Sequence, residues 1–141
     1  GNAYWFQAKR ANELYQALDA KHRKVALLDK RSRGERGNKT IQTKGSTKGL
    51  EGLPVSELAG DQKGLFQKVL GDLLAPFRKK DADEAMKLIK ANDMNKLHLS
   101  YYKIENIGED EIWDVWQVEG PKMVWYFRGK PHVHVWANIE A

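Results

Sequence analysis

Two histidines near the end of the chain have a spacing that suits metal binding. His132 and His134 are separated by one residue in a segment rich in β-branched and aromatic residues. On a strand both imidazoles would point to the same side, with Cα atoms about 6.6 Å apart, so that both could bind one divalent ion such as zinc. A complete site needs further ligands, and the candidates are Asp114 and His98. The alternative is a pair of hydrogen-bonded histidines packed on aromatic side chains.

The segments around these histidines predict a β-meander. Four extended stretches, at residues 97–104, 112–118, 123–128 and 132–139, are joined by turn residues. A four-residue turn at 119–122 would place Trp116 opposite Trp125, and an even-numbered loop after Phe127 would place His134 opposite Trp125. Those pairings would also bring Asp114, His132 and Trp136 to this face.

This Trp/His face is the predicted binding surface. The opposite face would be aliphatic and would pack against helices, whereas an exposed patch of tryptophans is typical of a ligand or partner site. The candidate ligand-binding residues are Trp116, Trp125, Trp136 and Asp114. His98 would lie on the core face, opposite Gln117, which makes it the weaker metal candidate. A loop longer or shorter by one residue would move both histidines to the other face.

The preceding part of the chain has mainly helical periodicity. Apolar residues recur at helical spacing in 4–18, 20–28 and 61–74. Asp19 and Asp61 are predicted helix caps, and Asp81 with Glu84 has capping-box spacing. Helices followed by sequential strands predict an α+β fold, with N-terminal helices on one face of a C-terminal four-stranded antiparallel meander.

The predicted organisation is one domain with a basic insertion. Residues 1–28 form a helical segment, 29–52 a flexible basic loop, and 53–141 the remaining helices and the sheet. Between residues 30 and 49 there are seven basic residues and one acidic residue, against a net charge of +5 for the chain. Nucleic-acid binding through this loop is one interpretation, but it has no phosphate-binding Gly-Lys motif and no interleaved aromatic. The composition favours a solvated loop, and a nucleic-acid partner is not expected.

Composition and motifs exclude several other classes. The chain has no cysteine, which excludes disulfides and thiolate metal sites. It has no apolar run of the ~20 residues needed to span a bilayer and no leader, so we expect a soluble protein, or an exported one whose signal is absent from this sequence. There is no Gly-x-Ser-x-Gly motif and no spaced carboxylate dyad, so no catalytic residue is assigned and enzymatic activity stays open.

Several stretches resemble a bacterial family of unknown function, the domain-of-unknown-function family numbered 3500. They are residues 113–121, 124–129 and 131–139, together with 18–23, 52–54 and the helix that contains Gln62. The resemblance implies that this chain is similar to the second half of a longer protein. A histidine-rich first half would then cover the Trp/His face and supply further ligands. It also implies that His132 and His134 match the family's His-x-His motif, to which no role is assigned.

Three hypotheses follow from the sequence. In the first, an α+β domain contributes the His-x-His pair and the aromatic face to a metal or ligand pocket completed by the N-terminal half. In the second, the aromatic face packs on a partner, a glycan or a second copy of the chain in a non-catalytic interaction domain. In the third, the basic loop binds nucleic acid.

Overall fold

A layer of helices covers one face of a mixed β-sheet in the computed structural model, which describes residues 5–91, 93–107, 112–130 and 133–140. The helices in these ranges are α1 (Trp5–Ala17), α2 (Ala20–Ala26), α3 (Gly60–Leu74) and α4 (Lys79–Ala91). The strands are β1 (Leu27–Leu28), β2 (Leu53–Pro54), β3 (His98–Tyr102), β4 (Val115–Gly120), β5 (Met123–Arg128) and β6 (His134–Ile139). Within the described part of the chain, no helix is both long and apolar enough to cross a membrane.

The helix starts follow from local capping. The Asp19 carboxylate accepts a hydrogen bond from the backbone N–H of His22 at 2.8 Å and caps α2, as predicted. The prediction of Asp61 as the cap of α3 is wrong, because that helix begins after Ala59, whose N–H donates to Oε1 of Gln62 at 2.9 Å. Nε2 of Gln62 donates in turn to the carbonyl of Ala17 at 3.0 Å, which fixes α3 against α1.

The α+β prediction is confirmed, but the sheet is larger than predicted. Strands β3 to β6 are antiparallel neighbours in chain order, as expected for the meander. Two short strands join β3 as well: β1 runs parallel to it and β2 antiparallel. The prediction of a purely antiparallel, four-stranded sheet is therefore wrong. Leu27 and Leu28, expected in the second helix, form β1 instead because they pair with Tyr101 and Tyr102.

The register differs from the predicted one at both hairpins. Gly120 pairs with Met123, so only Pro121 and Lys122 form the first turn. This shifts β5 by two residues and leaves its faces unchanged, with Trp116 now opposite Phe127. In the second hairpin Arg128 pairs with His134, so the loop has an odd number of residues. His134 therefore lies on the face opposite to the one predicted, together with every second residue of β6.

The tryptophan face is the core, and the prediction that the aliphatic face packs under the helices is wrong. Trp116 is 0 % exposed and Trp125 is 3 % exposed. Trp116 stacks on Phe127 with ring centroids 4.9 Å apart. The helices contribute the apolar residues Leu14, Phe66, Val69, Leu70 and Leu73 to the same cluster. Large aromatic rings bury more apolar surface than valines, which favours this face for the helical layer.

The second face of the sheet contains both polar and apolar side chains and is covered by residues 29–52, which we call the basic segment. Its buried residues are Ser100, Tyr102, Val115, Gln117, Glu119, Val124 and Tyr126. The basic segment has little regular structure, a single 3₁₀ turn at Gly37–Lys39 being assigned within it. The fold thus places a highly charged segment on a sheet face that includes buried polar and charged side chains, and that contact forms the candidate site.

Candidate functional site

Arg33 is the central contact between the basic segment and the sheet. Its Nε donates a hydrogen bond to Oε1 of Gln117 at 3.0 Å, and its Nη1 donates to the carbonyl of Thr40 at 2.8 Å. Its Nη2 lies 2.9 Å from Oε2 of Glu119, a residue 1 % exposed on β4. A carboxylate buried in a sheet needs such a counterion, because an unpaired buried charge is strongly destabilising. Arg33 therefore links the fold of the segment to the fold of the sheet.

A second group of contacts surrounds Ser32. The Ser32 hydroxyl donates to Oε2 of Glu105 at 2.6 Å, and the Ser32 N–H donates to Oε1 of the same carboxylate at 3.1 Å. Nη2 of Arg128 donates to Oε2 of Glu105 at 3.1 Å and to the Tyr126 hydroxyl oxygen at 3.0 Å. Burial raises the pKa of Tyr126, so its hydroxyl stays protonated at neutral pH. These groups fasten the start of the segment to β5.

Glu35 extends this network to the last strand. Its Oε1 lies 3.5 Å from Nε of Arg128, and both of its carboxylate oxygens lie 2.8 Å from Nδ1 of His134. The histidine that the sequence marks as a metal ligand therefore contacts a carboxylate of the basic segment.

The far end of the segment is held through Glu51. Nζ of Lys30 lies 2.6 Å from its Oε2, and the Tyr102 hydroxyl donates to its Oε1 at 2.5 Å. Burial acts to raise the pKa of Glu51, but the hydrogen bonds from Lys30 and Tyr102, together with the positive charges of Lys30 and Lys44, leave the pKa below its ordinary value. Glu51 is therefore an ionised acceptor at neutral pH.

A cleft of about 640 Å³ lies between the basic segment and the sheet. Its lining residues are Lys30, Arg31, Ser32, Arg33, Lys39, Gln42, Thr43, Lys44, Gly49, Glu51 and Glu119. The cations outnumber the carboxylates, so the cleft has a surplus of positive charge.

The surplus comes from three residues. Lys30 and Arg33 each have a carboxylate partner, whereas Lys44 donates to the carbonyl of Gly49 at 2.9 Å. Arg31 and Lys39 have no ion-pair partner among the residues that the structure describes, and both are exposed. An anion entering the cleft would meet these three side chains without first displacing a carboxylate.

The structure separates the residues of the predicted Trp/His pocket. Trp116 and Trp125 lie beneath the helices, while Trp136 and His134 belong to the segment-covered face. His132 lies outside the described residues. Within the described ranges, no group of three or more His, Cys, Asp or Glu residues could hold a metal.

Asp114 and His98 have structural partners instead. The Asp114 carboxylate accepts from the backbone N–H of Ile107 at 2.6 Å, which shapes the end of the loop before β4. His98 pairs with Glu119 rather than with the predicted Gln117, and it lies on the segment-covered face rather than on the core face. Burial lowers the pKa of His98.

The sequence did not reveal which carboxylates contact the basic segment. Glu105 and Glu119 are distant from its cations along the chain, so no local pattern connects them. One signal was available, because Gln117 and Glu119 alternate with apolar residues on a strand. Polar residues in that pattern predict a face that is solvated or covered by polar partners.

Comparison of the chain with protein-family models, curated proteins and solved structures finds no significant match.

Proposed function

We propose that the protein binds a small ligand with more than one negative charge in the cleft beneath the basic segment. The observation that carries this proposal is the set of cations without carboxylate partners, Arg31 and Lys39, beside Lys44 in the same concave lining. Arginine offers a planar array of N–H donors, and lysine a mobile ammonium group, so together they suit phosphate or carboxylate groups.

The size and lining of the cleft support a small ligand. Its volume of about 640 Å³ lies within the range of roughly 300–1,000 Å³ that is usual for small-molecule sites. The neutral polar residues Gln42 and Thr43 add hydrogen-bonding groups beside the cations. These groups therefore line the same region as the unpaired cations.

The same lining argues against the other hypotheses from the sequence. No aromatic side chain occurs among the described residues that line the cleft, and single-stranded nucleic acid is usually held by stacking on aromatics as well as by cations. The metal pocket has less support, since Trp125 and His134 belong to opposite faces of the sheet.

Isothermal titration with inorganic pyrophosphate tests this proposal. The double variant Arg31→Gln/Lys39→Gln removes the two unpaired cations and should weaken the affinity for pyrophosphate at least about tenfold, which corresponds to about 1.4 kcal/mol. The matched control is Lys87→Gln/Lys90→Gln, which changes the net charge equally at exposed positions of α4. Its affinity should equal that of the unchanged protein at about 0.15 M salt.

Two results would contradict the proposal. One is equal weakening in the cleft variant and the α4 control, which would mean that only net charge matters. The other is the absence of detectable pyrophosphate binding by the unchanged protein, even at low ionic strength.

A further inference from the structure

The cleft contains a feature that a site for a simple anion does not need. Two carboxylates, Glu51 and Glu119, contribute to a lining that is otherwise cationic. A carboxylate beside a bound anion lowers affinity by like-charge repulsion unless it contacts another part of the ligand. Glu119 is 1 % exposed and is paired with Arg33, so its role is to hold that guanidinium. Glu51 is different, because its side chain is 25 % exposed.

Glu51 has unused capacity to accept hydrogen bonds. An ionised carboxylate has about four acceptor positions on its two oxygens. The Tyr102 hydroxyl occupies one position on Oε1, and Lys30 occupies one on Oε2. The remaining positions can only be filled by donors, and a fully ionised phosphate group has none. A hydroxyl group is a donor of suitable size.

A neutral polar side chain in the lining also supports a ligand with hydroxyl groups. Gln42 has an exposed side chain whose amide can both donate and accept. Carboxylate and amide groups near cations match a ligand in which hydroxyls and an anionic group are joined. Lys30 lies between the Glu51 carboxylate and the unpaired cations. Its ammonium group contacts Glu51, and the next residue, Arg31, has no carboxylate partner in the described part of the chain.

We propose that the ligand is a phosphorylated polyhydroxyl compound, a sugar phosphate or polyol phosphate, with its phosphate among Arg31, Lys39 and Lys44 and its hydroxyls donating to Glu51 and Gln42. This inference rests on the proposed function, because it identifies the ligand class of the same cleft. The volume of about 640 Å³ accommodates a phosphorylated monosaccharide.

Three phosphate monoesters, two with several hydroxyl groups and one with no alcohol hydroxyl, provide the test. Glucose 6-phosphate and sorbitol 6-phosphate carry hydroxyls, whereas methyl phosphate carries none. In isothermal titration the unchanged protein should bind at least one of the first two about tenfold more tightly than methyl phosphate, as expected for a hydrogen bond to a charged group. Which of the two binds more tightly distinguishes a cyclic sugar from an open polyol.

The variant Glu51→Gln should remove most of this preference. Its affinity for methyl phosphate should be unchanged or higher, because a negative charge leaves the cleft. Gln42→Ala, at an exposed position where the fold is not at risk, should reduce the preference in the same direction. It provides the test if Glu51→Gln does not fold.

The outcomes separate this inference from the proposed function. Equal affinity of the unchanged protein for all three monoesters, or a preference that survives both substitutions, would overturn the polyhydroxyl ligand and leave the anion site intact. Failure of pyrophosphate and of every monoester to bind would overturn both.

Discussion

Gly52 determines how closely the basic segment approaches the sheet. Its φ is +92°, in the left-handed region, and a Cβ at this position would lie 2.5 Å from the carbonyl oxygen of Leu99 and would also meet the Ser100 hydroxyl. The close approach lets the Ser100 hydroxyl donate to the carbonyl of Glu51 at 3.2 Å. A glycine is therefore required here both for conformation and for space.

Replacing this glycine should destabilise the fold. For Gly52→Ala we expect a loss of about 2–4 kcal/mol, because a left-handed backbone and a steric overlap both oppose the methyl group. Chemical denaturation measures the difference. Gly49→Ala is the matched control, since φ is +79° there but no atom lies within 4 Å of the added Cβ. It should lose only about 1 kcal/mol, and equal losses at the two positions would show that steric contact contributes nothing.

Among the secondary-structure elements, side-chain contacts rather than a ladder of backbone hydrogen bonds attach the basic segment to the sheet. Arg33 reaches Gln117 and Glu119 on β4, and Ser32 reaches Glu105 before it. The segment would therefore be expected to separate from the sheet when one of these contacts is lost, while the helical layer and the meander remain together.

Removing the Arg33 guanidinium should release the basic segment from the sheet. Arg33→Met leaves the Glu119 carboxylate buried without a counterion and should cost about 3–5 kcal/mol. Adding Glu119→Gln to that variant should recover part of the loss. Arg36→Met is the control, because Arg36 is exposed, and should change stability by less than about 0.5 kcal/mol. Chemical denaturation measures the free energy of unfolding of each variant. Faster hydrogen exchange confined to residues 30–49 would show that the loss of stability is local to the basic segment. Additive effects of Arg33→Met and Glu119→Gln would rule out an energetic coupling between the two side chains.

The sequence alone predicted the fold more fully than the site. Apolar periodicity located α3 and its buried face, and β5 occupies the predicted residues 123–128. The orientation of β6 was not predictable, because both faces of the meander contain enough apolar residues to form a core and the parity of one loop decides between them. The composition of the basic segment favours a solvated loop, and its contacts are not predictable from the sequence because its partners Glu105 and Glu119 lie more than seventy residues further along the chain.

At the scale of the whole molecule, stability is linked to the ionisation of Glu51. Its pKa is lowered in the folded protein, so the folded state favours the carboxylate. The resulting stabilisation is present above the unfolded pKa, near 4.5, and is lost as the pH falls through the lower folded value.

Glu51→Gln should therefore be less stable than the unchanged protein at pH 7, by about 1–2 kcal/mol, and the gap should close on acidification. Urea denaturation measures the stability difference between the two proteins at neutral pH and again below the pKa of Glu51 in the folded protein. Glu84→Gln, an exposed substitution on α4, should show no comparable gap at neutral pH. A difference for Glu51→Gln that stays constant across this pH interval would refute the linkage.

Every cation that lines the cleft belongs to one uninterrupted stretch of twenty residues, 30–49, whereas the sheet contributes the carboxylate of Glu119 to the lining. Under the proposed function, ligand preference can therefore diverge by replacement of Arg31, Lys39 or Lys44 within that stretch, as long as Arg33 and its partner Glu119 are kept. A chimaera that exchanges this stretch together with Glu51 would then transfer recognition from one such domain to another.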